Sequence, residues 1–272
     1  MDDKTLKRLQ EIEREILVEF DKFCDEHNIK YSLFAGTALG AVRHGGFIPW
    51  DDDVDVCMER SEYERFLKLW RENPVDGYYL QGTDDPNHEY IDFSKLRKNG
   101  TCYGMERDLS LYSHNGIYLD IFPLDRIPKD KKARKKFLFR AKLRMIYTRG
   151  YAYTKGGKFL ELVSRILLLR TKKSRLKARN KLEKKMFTQE MKGGYDLMSL
   201  SCPSSLRVVF PGNMMDEMKK IDFDGYKVSL CTRWHEMLNE NFGDYMTLPP
   251  EEERVCKHES ITIDLGEETN KN

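Results

Sequence analysis

The chain runs to 272 residues, 40% hydrophobic and 34% charged, and its 47 Lys/Arg nearly balance 45 Asp/Glu. That length buries a full core, and 14 Tyr, 14 Phe and 3 Trp exclude a disordered polymer. No apolar run reaches the roughly 20 residues that span a bilayer, and Met1-Asp2-Asp3-Lys4 opens without the apolar core of a secretory leader.

Leu6, Leu9, Ile12, Ile16, Leu17, Phe20 and Phe23 recur at helical spacing and predict an amphipathic helix over about 4–27. Tyr31 to Ala35 reads as a strand running into Gly36-Thr37, with a short helix from Ala38 to Arg43 closed by Gly45-Gly46. A second strand is expected over Asp53-Val54-Asp55-Val56-Cys57. A helix opened by a Ser61/Glu64 capping box then carries Tyr63, Phe66, Leu67 and Trp70. Strand-like pieces follow at 78–81, 90–97, 101–105 and 116–122.

From Arg126 to Lys185 there are 23 Lys/Arg against 3 Asp/Glu, which leaves 24 basic and 42 acidic residues elsewhere. The two parts face different partners. Long basic helices are expected at about 129–149 and 158–190, mixed short elements from 195 to 258, and a disordered tail from Gly266 to Asn272. Strands first and helices later predict an α+β fold, a mixed sheet flanked by helices with a basic helical subdomain. Cys24, Cys57, Cys102, Cys202, Cys231 and Cys256 have neither zinc nor disulfide spacing, so the chain is expected in the cytoplasm with reduced thiols.

Asp51-Asp52-Asp53-Val54-Asp55 is the most informative stretch. Alternate residues of a strand share a face, so Asp53 and Asp55 are expected on one side about 7 Å apart. Val54 and Val56 anchor the other side, Asp51 joins the acidic face if the strand extends back, and Asp52 points away. Crowded carboxylates raise one another's pKa unless a cation neutralises them, and oxygen-only ligands favour Mg2+ or Mn2+ over zinc. The bland alternative is a solvated acidic turn. Asp120 is a lone carboxylate in the apolar strand Tyr118 to Phe122, costly to ionise without a partner. A metal shared with Asp53 and Asp55 would supply one. An Asp that merely ends a strand and caps a turn describes Asp125 better. Gly36-Thr37 at a strand-to-helix junction would let backbone N–H groups approach a phosphate.

The order strand-Gly-Thr-helix, Asp-x-Asp, then a later Asp resembles the signature of the nucleotidyltransferase superfamily, whose three acidic residues hold two metal ions. The block from Gly36 to Asp55, GTALGAVRHGGFIPWDDDVD, looks like the hallmark of the LicD family. That family includes bacterial phosphocholine transferases and is related to the fukutin-type ribitol-phosphate transferases. His114 to Asp125 resembles its third-Asp strand. Phe242 to Pro250 resembles its C-terminal motif, with Phe in place of the more usual Tyr, and Lys95-Leu96-Arg97 with Thr101 a weaker internal motif.

The chain is expected to divide into a nucleotidyltransferase-like catalytic core at 1–125, a basic helical subdomain at 126–192, a C-terminal segment completing the site at 193–265, and a tail at 266–272. The resemblance implies transfer of a phospho-alcohol, typically phosphocholine, from a CDP-linked donor to a sugar hydroxyl of a cell-surface glycan or teichoic-acid precursor, with release of CMP. Asp53, Asp55 and Asp120 would be the catalytic residues and the ligands of two Mg2+ or Mn2+ ions, and Asp120 would also accept the hydroxyl proton.

Arg43, Lys95 and Arg97 are candidates for the donor diphosphate beside Gly36 and Thr37; the alternative is ordinary surface cations. Trp50 would stack on the base or face a quaternary ammonium, or pack as a core or lid residue. His44, His235 and His258 lack metal-ligand spacing and are read as structural, while Gly243 and Pro249-Pro250 shape a turn near the site. The segment 126–185 interleaves Phe137, Leu138, Ala141, Leu143, Ile146, Phe159, Leu162, Val163, Ile166 and Leu167 with Lys and Arg. It suits peripheral contact with an anionic membrane, where a lipid-linked or oligosaccharide acceptor is met, or nucleic acid, or plain solvation. Nucleotidyl transfer to RNA is the alternative activity, disfavoured by the LicD-like connection from Gly-Thr to Trp-Asp. An inactive glycan- or membrane-binding homologue is disfavoured because all three acidic positions are filled.

Overall fold

The computed structural model describes residues 1–82, 92–104, 109, 114–149, 152, 158–188, 191–202, 205–256 and 262–266. In chain order the elements are α1 (Asp3–Glu26), β1 (Ser32–Leu33), α2 (Ala35–His44), β2 (Asp55–Glu59), α3 (Arg60–Glu72), β3 (Tyr78–Gln81), β4 (Ser94–Lys98), β5 (Cys102–Gly104) and β6 (Tyr118–Pro128). Then follow α4 (Lys131–Arg149), α5 (Lys158–Leu168), α6 (Lys172–Phe187), β7 (Tyr195–Ser199), β8 (Phe210–Pro211), β9 (Met218–Phe223), β10 (Tyr226–Cys231), α7 (Trp234–Phe242) and β11 (Thr262–Asp264). The fold is α+β, and the chain gathers into two units. One comprises 1–82, 94–122 and 214–272, the other 83–93 and 123–213.

In the first unit the Asp2 carboxylate caps α1 by accepting from Thr5 N at 2.8 Å. The α1 stripe Leu9, Ile12, Ile16, Leu17 and Phe20 is buried, and it packs on α3, with Phe20 5.1 Å from Phe66 and Phe23 4.6 Å from Trp70 between ring centroids. The sheet runs β1-β2-β6-β4-β3. Its registers set Leu33 opposite Val56, Lys95 opposite Asp120 and Arg97 opposite Tyr118. The β9–β10 hairpin turns through Asp224 (φ 48°) and Gly225 (φ 84°), the left-handed pair that matches strand twist. It is fastened to β1, since Ser229 N donates to Tyr31 Oη at 3.1 Å and Cys231 N to Ser32 Oγ at 3.0 Å.

In the second unit the distal half of β6 pairs with β7, and β7 with β8. Ile127, Phe137, Ala141, Met145, Met186 and Met198 form its core. Arg144, 4% exposed, bridges Asp92 at 3.2 Å and Leu200 O at 3.0 Å. Among the described residues no helix is long and apolar enough to cross a membrane.

Several expected boundaries move. β1 is two residues long and α2 already begins at Ala35, whose φ of 43° is uncommon for a residue with a Cβ. No capping box opens α3, because the helix starts at Arg60 with Glu59 at its cap. The second basic helix divides at Arg170-Thr171, where the Thr171 hydroxyl caps α6. Asp125 ends no strand: it is fully buried inside β6, opposite Met198. His258 and residues 267–272 lie outside the described residues.

Candidate active site

Backbone bonds knit three segments of the first unit together. Phe34 N donates to Asp55 O at 2.9 Å, Asp55 N to Thr37 Oγ1 at 2.8 Å, and Asp120 N to Val54 O at 2.8 Å. Val54, Val56 and Leu119 are fully buried, so strand alternation turns Asp55 and Asp120 away from that core.

The expected strand start at Asp53 is not observed, since β2 opens at Asp55. Bonds from α1, from Ile48 and from distant side chains hold the residues just before it. Gln10 Nε2 donates to Asp51 O at 2.9 Å, and Asp51 N to Ile48 O at 2.9 Å. Asp52, 1% exposed, accepts from Tyr103 Oη at 2.6 Å and from Cys256 Sγ at 2.9 Å.

Burial, then Asp53, Asp120 and Asp51, hold the Asp55 carboxyl well above the usual carboxylate range, with Lys95 opposing. Lys95 Nζ donates to Asp120 Oδ1 at 2.6 Å and lies 3.3 Å from the centroid of the Tyr118 ring. Mutually repelling carboxylates suit a hard divalent cation in donor chemistry. As the side chains stand, no three His, Cys, Asp or Glu among the described residues are gathered to hold an ion, and Asp120 is engaged by Lys95.

Sequence reasoning missed Gln10 and Glu13 of α1. Glu13 is 1% exposed and its Oε2 has no hydrogen-bond partner. Burial, then Asp53, Asp52, Asp51 and Asp55, push its carboxyl well up. A signal existed, because Glu13 stands four residues from both Leu9 and Leu17 on the apolar stripe, where a carboxylate is out of pattern.

The LicD/FKTN/FKRP nucleotidyltransferase domain matches residues 28–151, which include Thr37, Asp53, Asp55, Lys95 and Asp120. The lipopolysaccharide cholinephosphotransferase LicD of Haemophilus influenzae is 28% identical over 262 residues, 93% of this chain and 96% of that protein. Residues 28–151 thus carry a LicD-type domain, and the likeness to the Haemophilus protein extends along nearly the whole chain. Uncharacterized proteins of Rickettsia typhi and Rickettsia prowazekii are similar over shorter stretches. The first is 33% identical over 87 residues, 30% of this chain and 28% of that protein. The second is 40% identical over 48 residues, 18% of each chain.

Around the acidic groups of this LicD-family domain, the other expected residues are placed as follows. Arg43 is half-buried; its Nη1 donates to Tyr245 O at 2.8 Å and its Nε to His44 Nε2 at 3.0 Å. The His235 ring meets Tyr245 Oη at 2.5 Å. The C-terminal motif therefore reaches Arg43 through Tyr245. Gly243 closes α7 at φ 66°. Arg97 is 1% exposed, donating to Gln81 Oε1 at 2.7 Å and Gly116 O at 2.8 Å. Trp50 is half-buried, with the Arg254 guanidinium 5.9 Å from its ring centroid and His44 edge-on at 6.4 Å. A Cβ on Gly36 would stand 2.7 Å from Asp51 Oδ2, so a carboxylate lies over the N-terminus of α2.

Proposed function

We propose that this chain transfers a phospho-alcohol, phosphocholine first, from a CDP-linked donor to a sugar hydroxyl of a surface-glycan precursor, releasing CMP. Two carboxylates on neighbouring strands carry the reading, Asp55 at the start of β2 and Asp120 in β6, whose N–H donates to Val54 O at 2.8 Å. A relative similar along nearly its whole length and named a lipopolysaccharide cholinephosphotransferase supports it. Asp53, Asp55 and Asp120 would hold two Mg2+ or Mn2+ ions, with Asp120 sharing or yielding its Lys95 contact. Such ions, when bound, neutralise phosphate charge and steady the attacking and leaving oxygens.

The chain's own groups do the rest. Asp120 accepts the proton of the acceptor hydroxyl while the hydroxyl oxygen bonds to the phosphorus bearing the alcohol. The bond from that phosphorus to the CMP oxygen breaks. Lys95 orients Asp120 and adds positive charge beside the phosphates. Thr37 fixes the start of β2, and Gly36 and Arg43 would meet the diphosphate. Arg97, enclosed by its bonds, contributes field rather than contact. Trp50 presents its face to a guanidinium and suits the trimethylammonium of choline equally. A lipid-linked or oligosaccharide acceptor, met in the cytoplasm or at the inner face of the cell membrane, completes the reading.

The test follows CMP release from CDP-choline, CDP-ribitol and CDP-glycerol with an oligosaccharide acceptor, with and without Mg2+. Release from one CDP-alcohol, dependent on Mg2+ and lost in Asp53→Ala, supports the reading. CTP-dependent extension of RNA, or release unchanged by EDTA, overturns it.

A further inference from the structure

α5 is amphipathic and leaves part of its apolar side in water. Ser164 is fully buried, its Oγ donating to Glu161 O at 2.8 Å. Leu162 and Ile166, each 56% exposed, face solvent, and Leu169 is 85% exposed one residue past the helix end. Positions 162, 166 and 169 are spaced four and three apart, so they form one stripe. A helix on a globular protein turns such a stripe inward, where each aliphatic side chain leaving water stabilises substantially. Here Leu162, Ile166 and Leu169 stay out, while Val163 and Leu167 are half-buried beside the buried Ser164.

Positive charge surrounds the stripe. Lys158 stands before it, Arg165 within it, and Arg170, Lys172 and Lys173 after it, all exposed. Arg165 is engaged by Glu161 at 2.7 Å, which is one of only 3 acidic residues against 23 basic ones between 126 and 185. This combination selects among partners. Nucleic acid would satisfy the cations and leave the leucines in water. An anionic bilayer takes both, its headgroups meeting Lys and Arg and its acyl boundary the aliphatic side chains.

We propose that α5 and the turn after it form a docking face for an anionic lipid surface, with Leu162, Ile166 and Leu169 entering the headgroup–acyl boundary. The face goes beyond the transferase reading and does not depend on it. The test is co-sedimentation of the full chain with phosphatidylcholine vesicles containing phosphatidylglycerol, against pure phosphatidylcholine vesicles and against an RNA homopolymer. Circular dichroism checks the fold of each variant.

Wild type should partition onto the anionic vesicles more strongly than onto the neutral ones, and less so at high salt. The triple variant Leu162→Gln, Ile166→Gln, Leu169→Gln should lose about tenfold in partitioning with its fold intact. A second variant, Lys172→Glu with Lys173→Glu, should lose the preference for anionic lipid. Equal partitioning of wild type and triple variant, absence of wild-type binding to either vesicle, or binding to RNA alone would each overturn the proposal. CMP release from soluble acceptor, measured on the same samples, reports separately on the transferase reading.

Discussion

Lys95 and Asp120 face each other across β4 and β6 as an ion pair of 2.6 Å, with side chains only 9% and 11% exposed. Enclosed pairs of this kind contribute little net stability against apolar replacements, yet breaking one leaves a buried charge uncompensated. Lys95→Met should therefore lower unfolding free energy by about 3 kcal/mol, read from urea midpoints. The double variant with Asp120→Asn should recover part of that loss, giving a coupling energy in a double-mutant cycle. Additive single losses would mean the two groups do not communicate.

Thr37 links α2 to β2 through one acceptor oxygen, the Asp55 N–H bonding its hydroxyl at 2.8 Å. Thr37→Val keeps the shape and removes the acceptor, so it should cost about 1–3 kcal/mol. Transfer activity should fall by about tenfold or more as Asp55 loses its anchor. Thr37→Ser should restore both. A serine variant as impaired as the valine one would show that the methyl group, not the hydroxyl, matters.

Glu13 gives the chain a stability term with a defined sign in pH. Its folded-state carboxyl titrates well above the ordinary glutamate value of 4.5 because of burial and its acidic neighbours. The folded protein thus holds a proton that the unfolded chain has released, and this contribution fades as pH rises from about that value through the folded-state pKa. Glu13→Gln should be near neutral at acidic pH and should raise the melting temperature at neutral and alkaline pH, flattening the profile. A parallel shift at every pH would exclude titration of Glu13 as the cause.

Two glycines of α2 should respond differently to alanine. A Cβ at Gly40 meets the Gly46 carbonyl and lies 3.0 Å from Ile48 N, both backbone atoms with nowhere to move. Gly40→Ala should cost about 2 kcal/mol or more despite alanine's better helix propensity. At Gly36 the obstacle is the Asp51 carboxylate at 2.7 Å, the end of a rotatable side chain. Gly36→Ala should cost less than about 1 kcal/mol in stability, with the larger effect on transfer rate. Thermal melts and CMP release on the same samples separate the two.

What the sequence made legible was whatever depends on near neighbours. The α1 stripe from Leu9 to Phe20 and the strand at 78–81 follow from local periodicity, and both occur as expected. The acidic groups at 55 and 120 were recognisable because a charge in an apolar strand stands out. What stayed hidden depends on distant partners. Asp52 was expected to point away from the acidic face, but nothing local revealed Tyr103 and Cys256, 51 and 204 residues along, as its partners. Those bonds hold Asp52 just ahead of the strand, which opens at Asp55. Lys95 read as a phosphate contact because its cross-strand register with Asp120 is a tertiary fact. The Ser61/Glu64 capping box failed for a simpler reason, a helix whose cap is Glu59, two residues ahead of Ser61.

The clamp on Asp52 bears on how the protein is made. A ribosome releases all the proposed catalytic carboxylates early, with Asp120 emerging before the midpoint of 272 residues. Cys256, which fastens Asp52, and β10, which secures β1, come out long after Asp120. The nascent chain thus carries its acids for most of translation without the lock that arranges them. The bonds that hold Asp52 and β1 therefore form only once β10 and Cys256 have emerged, and a chain cut before β10 would lack them.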